Sequence, residues 1–233
     1  MKTSFAIFLL TIPLTACSIE TGRSKTTEEN LITRFIPNNY VLAEKVEGDL
    51  NGDKIKDYIL IIKATKNSAI VRSDSGKAID RNRRGIVIAL SGNGTHQVTL
   101  ENADCFSSEN EDGGVYYPPE LFIETKNGNL GINFLHGRYG FWSYTFRLQN
   151  SDFELIGFDS SENRGPVVLR KTSINFSTKK MQIKENTNQK SEEEGDEKFK
   201  TTWKNLPHMK MVKLSKISDF EMLDAEYLIR PIK

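Results

Sequence analysis

From Gly48 to Asp57 the chain reads Gly-Asp-Leu-Asn-Gly-Asp-Lys-Ile-Lys-Asp. Oxygen-bearing side chains recur at Asp49, Asn51, Asp53 and Asp57, and Ile55 offers a backbone carbonyl between them. Alternate residues of a tightly turned loop point inward, so these oxygens can converge on one hard cation. Three carboxylates, one amide and one carbonyl suit calcium, which takes about 6–8 oxygens at roughly 2.3–2.6 Å. Neither thiol nor imidazole stands among them to favour a softer metal. The chemistry expected is a structural ion that braces the turn into the following strand. The alternative is an acidic turn without an ion.

A second constellation lies further on. Phe134-Leu135-His136-Gly137-Arg138-Tyr139-Gly140 puts a histidine and an arginine in a glycine-flanked corner, two residues before Trp142. His136, Arg138, Tyr139 and Trp142 together suit the grip of a carboxylate or a sugar; an ordinary polar β-turn is the alternative. The signatures G-x-S-x-G, H-E-x-x-H and G-x-x-x-x-G-K-[ST] are absent. His96, His136 and His208 are far apart, and a Ser-His-Asp set can be assembled in too many ways to carry weight. A non-enzymatic role is therefore expected. An envelope hydrolase built around His136 and Arg138 is the enzymatic alternative.

Composition bounds the class of partner. Thirty-two basic and 31 acidic residues leave a net charge of +1 over 233 residues, which gives no bulk reason to expect nucleic acid. A hydrophobic fraction of 37% is too high for a wholly disordered chain. The N-terminus is more specific. Lys2 precedes an apolar run from Phe5 to Leu14, too short for a spanning helix of about 20 residues. Leu14-Thr15-Ala16-Cys17 follows and resembles the lipobox of bacterial lipoproteins. The resemblance implies cleavage after Ala16, lipidation of Cys17 and attachment to a membrane in the cell envelope. Ser18 leans towards the outer membrane. Residues 1–16 are then a lipoprotein signal peptide. Residues 17–30 are polar and read as a flexible tether. Cys105 is the one side-chain thiol left beyond Cys17, and its simplest reading is a small buried hydrophobe.

Residues 31–233 read as a single β-rich domain, mainly antiparallel and sandwich- or barrel-like, with minor short helices. Tyr58–Ile62 and Ile86–Leu90 are continuous apolar runs of strand length, the pattern of strands buried on both faces. Asn127-Gly128 between alternating segments is a strong hairpin signal. Trp142, Tyr144, Phe146 and Leu148 alternate with polar residues and predict a strand with an aromatic inner face. Polar insertions are expected at about 63–84 and 185–198, the first made basic by Arg72, Arg81, Arg83 and Arg84. A short helix opened by Ser218 or Asp219 is expected near the C-terminus.

The Asp49–Asp57 loop and the apolar strand after it resemble the calcium loop of FG-GAP repeats and, more loosely, an EF-hand loop. Lys54 stands where those loops usually carry glycine, and Leu60 where an EF-hand carries its bidentate glutamate. The order of blocks from Tyr40 to Ile183 resembles a family of small bacterial secreted proteins and lipoproteins of unassigned function. These blocks include the loop, a Gly113-Gly114 segment, the aromatic strand and Asp152-Phe153-Glu154-Leu155. The resemblance implies fold, export and a calcium loop, and nothing catalytic. The partners expected are a membrane through Cys17 and an envelope protein or glycan. An inhibitor or immunity lipoprotein that blocks a toxin or hydrolase is the sharper form of the same reading.

Overall fold

The computed structural model describes residues 29–111, 117–188, 190, 195–207, 211–223 and 229. The expected signal peptide, Cys17 and most of the expected tether lie outside the described residues. The chain divides into two units, Met1–Arg34 and Phe35–Lys233. In the first, residues 29–33 form a helical turn. Thr33 Oγ1 donates to the Glu29 carbonyl at 2.8 Å. Among the described residues no helix is long and apolar enough to cross a membrane.

The second unit is all-β. A four-stranded sheet has the order β1-β2-β5-β6, with β1 Tyr40–Gly48, β2 Asp57–Ala64, β5 Arg84–Gly92 and β6 Thr95–Phe106. A seven-stranded meander follows: β7 Glu120–Lys126, β8 Asn129–Leu135, β9 Gly140–Gln149, β10 Asp152–Arg164, β11 Val167–Asn175, β12 Lys180–Asn186 and β13 Phe199–Asn205. Neighbouring strands in both sheets run antiparallel. The insertion expected at 63–84 is not only loop. It holds a small hairpin of β3 Ile70–Arg72 and β4 Ala78–Asp80. Two of its arginines are tied to distant parts of the chain: Arg83 reaches Asp219 at 3.0 Å, and Arg84 Nε donates to the Ser107 carbonyl at 3.0 Å.

The two sheets share one apolar core. Ile59, Ile61, Ile86, Ile88 and Phe106 from the first pack with Ile132, Phe134, Tyr144, Phe146 and Phe153 from the second. Leu60 and Val87 are register partners on the other face of the first sheet and are fully buried too. The unbroken runs thus do mark strands covered on both sides, because no position in them can face water without loss of apolar burial. Tyr144 and Phe146 are buried on the aromatic strand as its alternation requires. At one edge of the sandwich the sheets meet closely. Gly48 ends β1 beside Thr125 of β7, where a Cβ would run into the threonine side chain.

After β13 the chain returns across the core, and Leu214, Ile217 and Phe220 are buried in it. The only regular element there among the described residues is a 3-10 turn at Leu214–Lys216, which precedes Ser218; residues 218–222 are bends and turns, not the expected helix. Asn102 Nδ2 explains the early turn, since it donates to the carbonyls of Leu214 and Ile217 at 2.7 and 2.8 Å. Cys105 is fully buried, and burial pushes its thiol up to about 12. The foot of the 185–198 insertion is ordered around Asn186, whose Oδ1 accepts from the backbone of Lys198 and Asn188.

Candidate functional site

The Asp49–Asp57 loop joins β1 to β2, and its side chains fold back on its own backbone. Asp49 accepts from the N–H groups of Gly52 at 2.6 Å and Lys54 at 2.9 Å. Asn51 accepts from Asp53 N–H at 3.0 Å, and Asp53 from Ile55 N–H at 2.7 Å. Lys54 takes the left-handed conformation, φ 67°. It thereby supplies the bend that glycine gives in the loops this one resembles, at a cost of about 1 kcal/mol. The basic residue does not prevent the loop from closing.

Asp57 anchors the whole. It is fully buried. One oxygen accepts from Leu50 N–H at 2.6 Å. The other accepts from Ser91 N–H at 2.7 Å and Ser91 Oγ at 3.0 Å. Ser91 is the residue the sequence reading passed over. Its hydroxyl also lies 2.7 Å from Asp53 Oδ2, and its carbonyl accepts from Asn51 Nδ2 at 2.8 Å. Its place just after the Ile86–Leu90 run was visible, but its role depends on β2 and β5 being neighbours. The Ser91 hydroxyl, with the Ile55 N–H, holds the Asp53 carboxyl below the usual carboxylate range. Beside the loop, Lys45 and Lys56 hold Glu47 down at about 2.

As metal ligands these residues fit only in part. The oxygens are of the right chemistry, yet each side chain serves a backbone or hydroxyl donor. Among the described residues no group of three or more His, Cys, Asp or Glu side chains is gathered as a metal site. What the arrangement does as it stands is brace β2 at its first residue and tie it to the end of β5.

The second candidate sits between β8 and β9. His136 leaves β8, a 3-10 turn runs over Gly137–Tyr139, and Gly140 opens β9. Gly140 has φ 112°, and a Cβ there would strike the Ser161 carbonyl of β10, so glycine is required. The turn is closed by His136 N–H donating to the Gly140 carbonyl at 2.9 Å. Outward from it stand His136, Arg138 and Tyr139, with the Arg138 guanidinium 5.5 Å from the Tyr139 ring centre. Tyr117, 91% exposed, joins them; its carbonyl lies 2.9 Å from His136 Nε2. These side chains line a cleft of about 470 Å³.

The four residues singled out by sequence do not all share this cleft. Trp142 meets His136 edge to face, with ring centres 6.3 Å apart. It stacks on Phe134 at 5.4 Å and lines a separate hollow with Tyr144, Phe158 and Phe220. Its position on the inner face of β9 follows from the same alternation that buries Tyr144. Tyr117 was missed because it lies 19 residues upstream of His136, with no local pattern to link the two. The remaining histidines serve elsewhere. His96 stacks on Tyr58 at 4.4 Å, and His208 lies outside the described residues.

An antiparallel β-sandwich with a hydrogen-bonded acidic loop and an open aromatic corner is the class that fold and site define. No family model, no curated protein and no solved structure matches the chain.

Proposed function

We propose that this is a non-enzymatic, lipid-anchored protein of the bacterial envelope, whose β-sandwich holds the β8–β9 corner out to a glycan ligand. The observation that carries the binding role is the open cleft lined by Tyr117, His136, Arg138 and Tyr139. Aromatic faces pack against sugar rings, and a guanidinium takes an acidic substituent in a bidentate grip. The cleft volume of about 470 Å³ is that of a small-ligand site. The lipobox at Leu14–Cys17 supports the anchor. Cell-wall glycan fragments titrated into the purified protein test the reading: saturable binding that Tyr139→Ala and Arg138→Ala weaken is expected, and binding indifferent to both substitutions overturns it. Cys17→Ser tests the anchor separately, through loss of the protein from the membrane fraction.

In this reading the Asp49–Asp57 loop braces the sandwich, and calcium, the ion its oxygens suit, adds to that brace. Melting curves in EDTA and in calcium test this part.

A further inference from the structure

A cavity of about 390 Å³ lies at the end of the seven-stranded sheet, beside the β9–β10 and β11–β12 turns. It exists because β11 leaves β10 early. Phe176 N–H donates to the Ile156 carbonyl at 2.9 Å, and beyond that point β10 takes a new neighbour. Leu155 N–H donates to the Val212 carbonyl at 2.8 Å, and Glu154 bridges to Lys213. The space between the β11–β12 turn and this returning segment is walled by apolar side chains, among them Leu155, Phe176, Leu206 and Met211.

Gln149, Glu154, Ser177 and Lys179 are the polar residues of the wall, and of these only Glu154 is buried. Glu154 is 6% exposed and lines it. Its Oε1 accepts a single hydrogen bond, from Asn150 Nδ2 at 3.2 Å. Among the described residues no other hydrogen bond and no ion pair reaches this carboxyl. A carboxylate can accept about four hydrogen bonds, and burial without them is costly. The register of β10 with β9 places Glu154 opposite Arg147, but Arg147 Nε donates instead to Asn129 Oδ1 at 2.9 Å. Lys179 is the other charged group on the wall. Glu154 thus keeps acceptor capacity beyond its bond to Asn150, on the wall of the cavity.

We propose that this cavity binds a small amphiphile with an ammonium head and an apolar body. The head donates to Glu154, and the body packs on Phe176, Leu206 and Met211. The volume accommodates roughly ten heavy atoms. The site shares no residue with the β8–β9 cleft and stands independently of it.

The test uses 2-phenylethylammonium as the probe, titrated into the purified protein by calorimetry. Saturable binding is expected, about tenfold weaker in Glu154→Gln and about tenfold weaker for the neutral isostere 2-phenylethanol, because in each the pairing of two opposite charges is reduced to a hydrogen bond with one charged partner. Ser177→Trp, a substitution in the exposed β11–β12 turn, is expected to fill the cavity and abolish binding with an unchanged melting temperature. The proposal is overturned if 2-phenylethanol binds as tightly as the ammonium, or if Glu154→Gln binds the probe unchanged. It is also overturned if the probe fails to saturate the wild-type protein at all.

Discussion

The acidic loop at Asp49–Asp57 and the corner at His136–Gly140 are both short turns between adjacent strands, yet they spend their polar groups in opposite ways. In the loop, Asp49, Asp53 and Asp57 each accept from two or more donors of the protein itself. In the corner, the backbone closes on itself through Gly140, and the side chains of His136, Arg138 and Tyr139 line an open cleft. A polar turn rich in chemistry-bearing residues is therefore not by itself a site. What distinguishes the two is whether the side chains fold back on their own loop or line an open cleft.

The largest effect expected from this contrast is at Asp57. Asp57→Ala strands the N–H groups of Leu50 and Ser91 in a buried place and should destabilise the domain by roughly 3–5 kcal/mol. That corresponds to a fall in Tm of about 10 °C for a domain of this size. A shift below about 2 °C in differential scanning calorimetry breaks the view of the loop as a brace. Next is Gly140→Ala. The Ser161 carbonyl and the positive φ together should cost about 2 kcal/mol or more, and denaturant unfolding reads it directly.

Arg138→Ala and Tyr139→Ala sharpen the other side of the comparison. Each should change stability by less than about 0.5 kcal/mol while glycan binding weakens about tenfold, or about 1.4 kcal/mol. A stability loss as large as that of Asp57→Ala would mean that the corner, too, is structural. Calcium comes next. With a Kd near 1 mM, about 10 mM ion contributes about 1.4 kcal/mol, a rise in Tm of a few degrees that Asp53→Ala removes. Identical curves in EDTA and calcium leave the loop a hydrogen-bonded brace alone.

The smallest effect is acid sensitivity next to the loop. Glu47, at about 2, is depressed below its ordinary value by Lys45 and Lys56. Asp80, also at about 2, is depressed by Lys63 and by Asn82. A depressed carboxyl binds fewer protons when folded, so its contribution is complete above about pH 4.5 and is lost as pH falls towards about 2. Both groups are solvent-screened, which keeps the effect small. Glu47→Gln should flatten the fall in stability between about pH 5 and pH 2 in urea titrations; a slope equal to that of the unsubstituted protein counts against the Lys45–Glu47–Lys56 contacts.

Much of the fold was legible in the chain. Apolar runs at Tyr58–Ile62 and Ile86–Leu90, Asn127-Gly128, and the alternation from Trp142 to Leu148 each report a local periodicity or turn preference, and each marks the strand or hairpin expected of it. The β3–β4 hairpin was not legible, because Ile70-Val71 and Ala78-Ile79 are too short to show a period. The helix expected at Ser218 failed for a different reason. Strand β6, more than a hundred residues away, holds this segment to itself: Asn102 Nδ2 donates to the carbonyls of Leu214 and Ile217, and Phe220 N–H donates to the Cys105 carbonyl.

By itself the sequence determined the long strands, the Asn127-Gly128 turn, and which side chains carry oxygen, imidazole or guanidinium. Only the tertiary structure decided what those groups do. Ser91 meets Asp53 and Asp57 because β2 pairs with β5. Tyr117 meets His136 at the open end of the β7–β8 hairpin. Glu154 is buried because β11 turns away and Val212 and Lys213 take its place beside β10. These contacts join segments from distant positions, so no local pattern could have disclosed them.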